Sequence, residues 1–322
     1  VTLLAVQGCA PAAPAAAVTH AADTLTITAA QKAYHEYVAT SDADAAQGDQ
    51  AQGLAIVADA QWAQVKGQYT ALAFAGTPVP RYQYGTPVFY VPALAGYPRW
   101  FMVAVPRQTE GGGHLGAAVS TIMVFGKAKQ DEPWTLNGAA ALDQRLPEIA
   151  SHDGYAIDVS STDASLLLRP DVVGATQAAV ADDGPASPAA AVVGSGPQTT
   201  GLYAAQNAHA RAEAAQGLQY QWLLEGAPFA QFELRTKDGG ALVLYGMYLN
   251  TTTEHPDLAT GSPIPVPPAF TPLLALPSEV GNHAVYANWT YQFATVDPPL
   301  TAHNAKIDVI AAGGSPSYGH AY

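Results

Sequence analysis

The clearest hydrophobic pattern in the chain runs over residues 229–250, FAQFELRTKDGGALVLYGMYLN. Two runs rich in Phe, Leu, Val and Tyr flank Lys237-Asp238-Gly239-Gly240. Asp-Gly and Gly-Gly accept the positive φ angles of a tight turn, so the stretch predicts a β-hairpin. A related pattern comes earlier, with a strand over Arg99–Arg107, a turn at Glu110-Gly111-Gly112-Gly113 and a second strand over Leu115–Phe125. Each hairpin lies downstream of an Ala-rich helical segment.

Taken in order, the pattern starts with a helix behind Thr28 and Gln31, a capping-box spacing, carrying Ala33, Tyr34, Tyr37 and Val38 on one stripe. A second helix spans Leu54 to Val65. After Gly76-Thr77-Pro78, β-branched and aromatic runs predict strands at Tyr82–Tyr84, Pro87–Val91, Trp100–Val105, Val119–Phe125 and Trp134–Leu136. Pro147–Asp163 is transitional. Pro170 suits the first turn of a new helix running through Val180. Asp182–Thr200 reads as a surface loop, and Leu202–Gln216 as a helix ended by Gly217. Strands follow at Leu218–Leu224, Val285–Val296 and Ile307–Ala311. The proline-dense Gly261–Pro277 reads as an extended connection, and Gly313–Tyr322 as a loose tail.

Helices first and antiparallel strands afterwards, repeated once, is an α+β order. It predicts two tandem units, residues 24–163 and 164–322, each with N-terminal helices packed on a curved antiparallel sheet. This element order is similar to the cone-shaped NTF2-like and cystatin-like folds. The run Arg235-Thr236-Lys237-Asp238-Gly239-Gly240-Ala241-Leu242-Val243, with Pro87-Val88-Phe89-Tyr90 and Tyr97-Pro98-Arg99-Trp100-Phe101, resembles uncharacterised secreted lipoproteins of actinobacteria. That resemblance implies no assigned activity.

Composition narrows the functional classes. Of 322 residues 49% are hydrophobic and 12% charged, as in a folded protein, and the net charge is −13. Nucleic acid is an unsuitable partner, because binding phosphates requires clustered Lys and Arg. The one cysteine, Cys9, follows Val6-Gln7-Gly8 and precedes a small-residue, Pro-rich stretch to Asp23. This resembles the end of a bacterial lipoprotein signal peptide. Residues 1–8 would be its remnant, Cys9 the lipidated residue, and 9–23 a flexible tether. The implied location is extracytoplasmic, on the cell membrane.

Motifs for chemistry are sparse. There is no G-x-S-x-G, S-x-x-K, H-E-x-x-H or P-loop, and the glycines of Gly111-Gly112-Gly113-His114-Leu115-Gly116 read as a hairpin turn without the Lys and the helix that cradling a phosphate needs, so no cofactor or metal is expected. Asp42, Asp44 and Asp49 read as a solvated helix end. His152, Asp153 and Tyr155 are the compact acid/base candidates for an enzyme with a cone pocket, although Ser151-His152-Asp153-Gly154 reads first as a turn. Aromatics remain as candidates to stack on sugars or to grip apolar ligands, with Tyr82, Tyr90, Trp100, Trp222 and Trp289 in front. The sequence therefore favours a non-enzymatic envelope lipoprotein that binds an apolar or carbohydrate ligand or an envelope protein. A structural surface subunit is a third reading.

Overall fold

A computed structural model describes residues 24–111, 114–256, 263–274 and 283–321. Cys9 and the tether lie outside the described residues, as do 112–113 of the first hairpin turn. Helices α1 (Ile27–Gln47), α2 (Gln50–Ala55) and α3 (Asp59–Ala75) precede β1 (Arg81–Tyr84), β2 (Val88–Tyr90) and β3 (Arg99–Gly111). Then come β4 (His114–Leu115), β5 (Val119–Lys127), β6 (Thr135–Leu142), β7 (Ser151–His152) and β8 (Tyr155–Ala156). The second half holds α4 (Pro170–Asp183), α5 (Thr200–Ala214), β9 (Gln219–Gly226), β10 (Phe232–Arg235), β11 (Ala241–Glu254), β12 (Ala284–Asp297) and β13 (Asp308–Ala321).

The class is α+β, but the two strand sets do not form separate sheets. They join in one 11-stranded antiparallel sheet with the path β1-β3-β5-β6-β13-β12-β11-β10. β2 extends β1 along the free edge of β3, and β9 extends β10 along that of β11. The halves meet where β13 pairs β6, at Ala311 with Leu142 and Ala312 with Ala141.

The stretch 149–159 then closes the sheet on itself. Ala150 N–H donates to Arg235 O (2.8 Å), Arg235 N–H to Ile157 O (2.8 Å) and Val159 N–H to Glu233 O (3.2 Å), all along β10. On its other side Ala156 N–H donates to Val91 O at the end of β2 (2.9 Å). A ring of hydrogen-bonded neighbours results, and one buried cluster touches its members in turn. It includes Met102, Ile122, Val124, Ala140, Ile310, Ala294, Leu242, Leu244 and Leu234, with Ile149 and Ala156 from the closing stretch. This is a small barrel filled by its own side chains.

Because successive strand residues face opposite sides, the alternate positions point outward and are buried too. Phe101, Val103, Val105, Met123 and Phe125 pack under α1 through Ala30, Ala33 and Tyr34. On the other flank, Val243, Tyr245 and Met247 pack under α4 through Val173 and Val180. Burial on both faces explains the near-continuous apolar runs of β5 and β11.

Several elements differ from the sequence reading. Thr26, not Thr28, caps α1, its hydroxyl accepting from Ala29 N–H (3.1 Å). The helix expected over 54–65 is broken, because Ile56 O and Ala58 N–H bond the backbone of Leu136. The loop expected at 182–200 holds two 3-10 turns, Gly184–Ala186 and Pro188–Ala191. The tail expected to be loose is the strand β13. Its Gly314 is required there, since a Cβ at that position would collide with the Tyr291 ring. Of the acidic trio, Asp42 pairs with Arg81, Asp49 caps α2, and Asp44 is buried rather than solvated.

Candidate ligand groove

β11 and β12 run on past the barrel, and their outward faces floor a groove. Cross-strand partners share a face, so Tyr220-Thr253-Val285, Trp222-Thr251-Ala287 and Leu224-Leu249-Trp289 form successive rows. α5 supplies one wall with Ala205, Gln206 and His209, and Pro267 and Phe270 from the proline-dense connection supply the other. The enclosed volume is about 280 Å³.

The floor is aromatic because β12 places Trp289 and Tyr291 two residues apart on one face, with Phe293 buried next in the row. Trp289 stacks on Tyr291 (6.1 Å, 19°) and Tyr291 on Phe293 (5.5 Å, 6°), while Phe270 meets Trp289 edge-on (5.5 Å). Polar groups converge at the α5 side. Tyr220 Oη donates to Gln206 Oε1 (2.6 Å), and the His209 ring stands edge-on to Tyr220 (4.4 Å). Burial pushes the Tyr220 phenol up to about 12, with the Thr251 contact opposing the shift. The phenol is therefore neutral at physiological pH and serves as a hydrogen-bonding group. The groove can stack a flat face and hydrogen-bond its rim.

The sequence candidates are distributed unevenly. Trp289 lines the groove. Trp222 stands behind it, stacked on Tyr220 (6.2 Å) with Nε1 donating to Ala181 O (3.5 Å). Tyr82 lies elsewhere, in a cleft of about 520 Å³ between α3 and β13. Tyr90 and Trp100 pack against the barrel interior, Trp100 edge-on to Phe232 (5.4 Å), so they are core and not groove. His152, Asp153 and Tyr155 sit on the turn of the closing stretch. There Asp153 and Gly154 take φ 50° and 84°, and the His152 and Asp153 side chains are exposed. The trio lines neither the groove nor the cleft. His209, Gln206 and Phe270 were not singled out from sequence, since two distant segments, α5 and the proline-dense connection, bring them together. The alternating Trp289-x-Tyr291-x-Phe293 was the available signal.

Residues 21–312 match the family described as "Domain of unknown function (DUF8094)". The chain belongs to this family. One profile thus spans both halves of the sheet. The chain is also similar to an "Uncharacterized lipoprotein" of Streptomyces avermitilis, 28% identical over 193 residues that cover 54% of each chain. The chain thus spans about half the length of the curated relative it matches. No solved structure matches. Among the described residues no helix is long and apolar enough to cross a membrane.

Proposed function

We propose that the protein is a non-enzymatic envelope lipoprotein, held to the outer face of the cell membrane through a lipid on Cys9, which binds a carbohydrate in the groove floored by Trp289. The observation that carries the ligand class is the Trp289–Tyr291 stack under a rim of Gln206, His209 and Tyr220. A sugar presents an apolar C–H face to such a stack and hydroxyls to such a rim. The lipid anchor is supported by the Gly8-Cys9 junction and by the name of the Streptomyces relative.

Two measurements test the two halves of this reading. Intact-mass spectrometry of the protein from its native membrane should give a chain starting at Cys9 with added acyl mass; a chain without acyl mass rejects the anchor. Titration of a glycan panel, followed by tryptophan fluorescence, should give a saturable change for at least one sugar. Trp289→Ala should weaken that binding about two- to tenfold, a stacking loss of about 0.5–1.5 kcal/mol. Saturable binding of apolar ring compounds with no response to any sugar would reject carbohydrate as the ligand.

A further inference from the structure

We propose that the cleft between α3 and β13 is a second binding site, which takes a short peptide by its free carboxylate. The cleft exists because the sheet splits. β13 pairs β6 only through Ala311 and Ala312; beyond that point its edge faces the cleft instead of a strand. Side-chain amides gather at this split. Gln64 Nε2 donates to Thr290 O (3.0 Å) and to Gly313 O (3.4 Å), and Gln292 Nε2 donates to Gln61 Oε1 (3.0 Å). Farther along, α3 closes this edge, Gly67 lying against the Pro316 carbonyl; in between, the Gly313–Ser315 stretch and the side-chain amides of Gln61, Gln64 and Gln68 offer donors and acceptors to the backbone of a short peptide.

The opposite wall supplies the charge. Arg107 holds its guanidinium over the Tyr82 ring at 4.4 Å and lines the cleft. In a chain of net charge −13, Arg81, Arg169 and Arg235 each hold a carboxylate: Asp42, Asp171 and Asp163. Arg107 forms no ion pair with a carboxylate among the described residues. Arg107 also bonds the Tyr84 phenol; a guanidinium has five N–H donors, and one half-buried and braced on an aromatic face is suited to a planar carboxylate. The volume of about 520 Å³ gives room for a short peptide.

The test is isothermal titration of the full chain with N-acetylated tri-alanine bearing a free C-terminal carboxylate, beside the same peptide amidated. The free acid is expected to bind at least tenfold more tightly than the amide. Arg107→Gln should erase that preference and Arg107→Lys should restore part of it, with thermal melts showing both variants folded. Equal binding of acid and amide by the wild type, or no binding of either, overturns the proposal. So does an acid preference that survives in Arg107→Gln.

Discussion

Glu233 shows how one residue can set a property of the whole protein. It lies on the outward face of β10, buried, with Oε1 lacking a partner among the described residues. Burial first, then the charges of Asp158 and Asp171, pushes its carboxyl up to about 7 from 4.5. Asp297, fully buried at the end of β12, is pushed to about 7 from 3.8 by burial, against one bond from Leu168 N–H. The sign follows from linkage. Below pH about 4.5 both folded and unfolded Glu233 are protonated and nothing is lost. As pH rises toward 7 the unfolded chain sheds its proton first, so stability falls, and above 7 the loss is complete. A shift of this size corresponds to roughly 3 kcal/mol before relaxation. Urea melts should therefore show the wild type more stable at pH 5 than at pH 8. Glu233→Gln should stabilise the protein at pH 8 by about 1–3 kcal/mol and flatten, not abolish, the slope, because Asp297 keeps its share. An unchanged slope in the variant would contradict the burial argument. Neither residue stands out in the sequence: Glu233 sits in a strand run, and its burial depends on α4 and on the closing stretch.

Among the elements, the β10–β11 hairpin was the most legible. Thr236 O–H donates to Asp238 Oδ1, and Gly240 N–H donates to the same oxygen (3.2 Å). Gly239 takes φ 91°, a backbone angle that side chains resist. Gly239→Ala should thus cost about 1–2 kcal/mol in a denaturant melt while leaving the groove's ligand affinity intact. A neutral result would mean that the turn relaxes freely. The same chemistry, Asp followed by Gly, made the His152–Tyr155 turn readable as a turn. Other elements were not readable because their cause is tertiary. β13 looks like a tail because Gly, Ser and Pro fill it. Gly314 leaves room for the Tyr291 ring, and a Cβ on Gly67 of α3 would strike the Pro316 carbonyl. The break between α2 and α3 likewise comes from pairing with Leu136, a partner nearly eighty residues away. The groove was half legible: its floor follows from aromatics two apart on one strand, whereas its walls come from α5 and the proline-dense connection.

At the scale of the molecule, the repeat of helices and hairpin in the sequence predicts two tandem units, and the hydrogen bonds and the core join them in one sheet. The barrel interior mixes Met102, Ile122 and Val124 from the first half with Leu234, Leu242, Leu244 and Ile310 from the second. Neither half can bury its inward face without the other. The closing stretch adds backbone bonds to both, and backbone bonds leave no signature in side-chain pattern, so the ring was invisible in the sequence. Shared burial of this kind makes unfolding cooperative across the two halves. Calorimetry should accordingly give one transition. Hydrogen exchange near the midpoint should release amides of β5 and β11 together. Ala156→Pro removes the N–H that donates to Val91 O and should lower the stability seen in both halves alike. Two resolved transitions, or a variant that loosens β5 while β11 keeps its protection, would show that the halves are separable domains joined along one sheet edge.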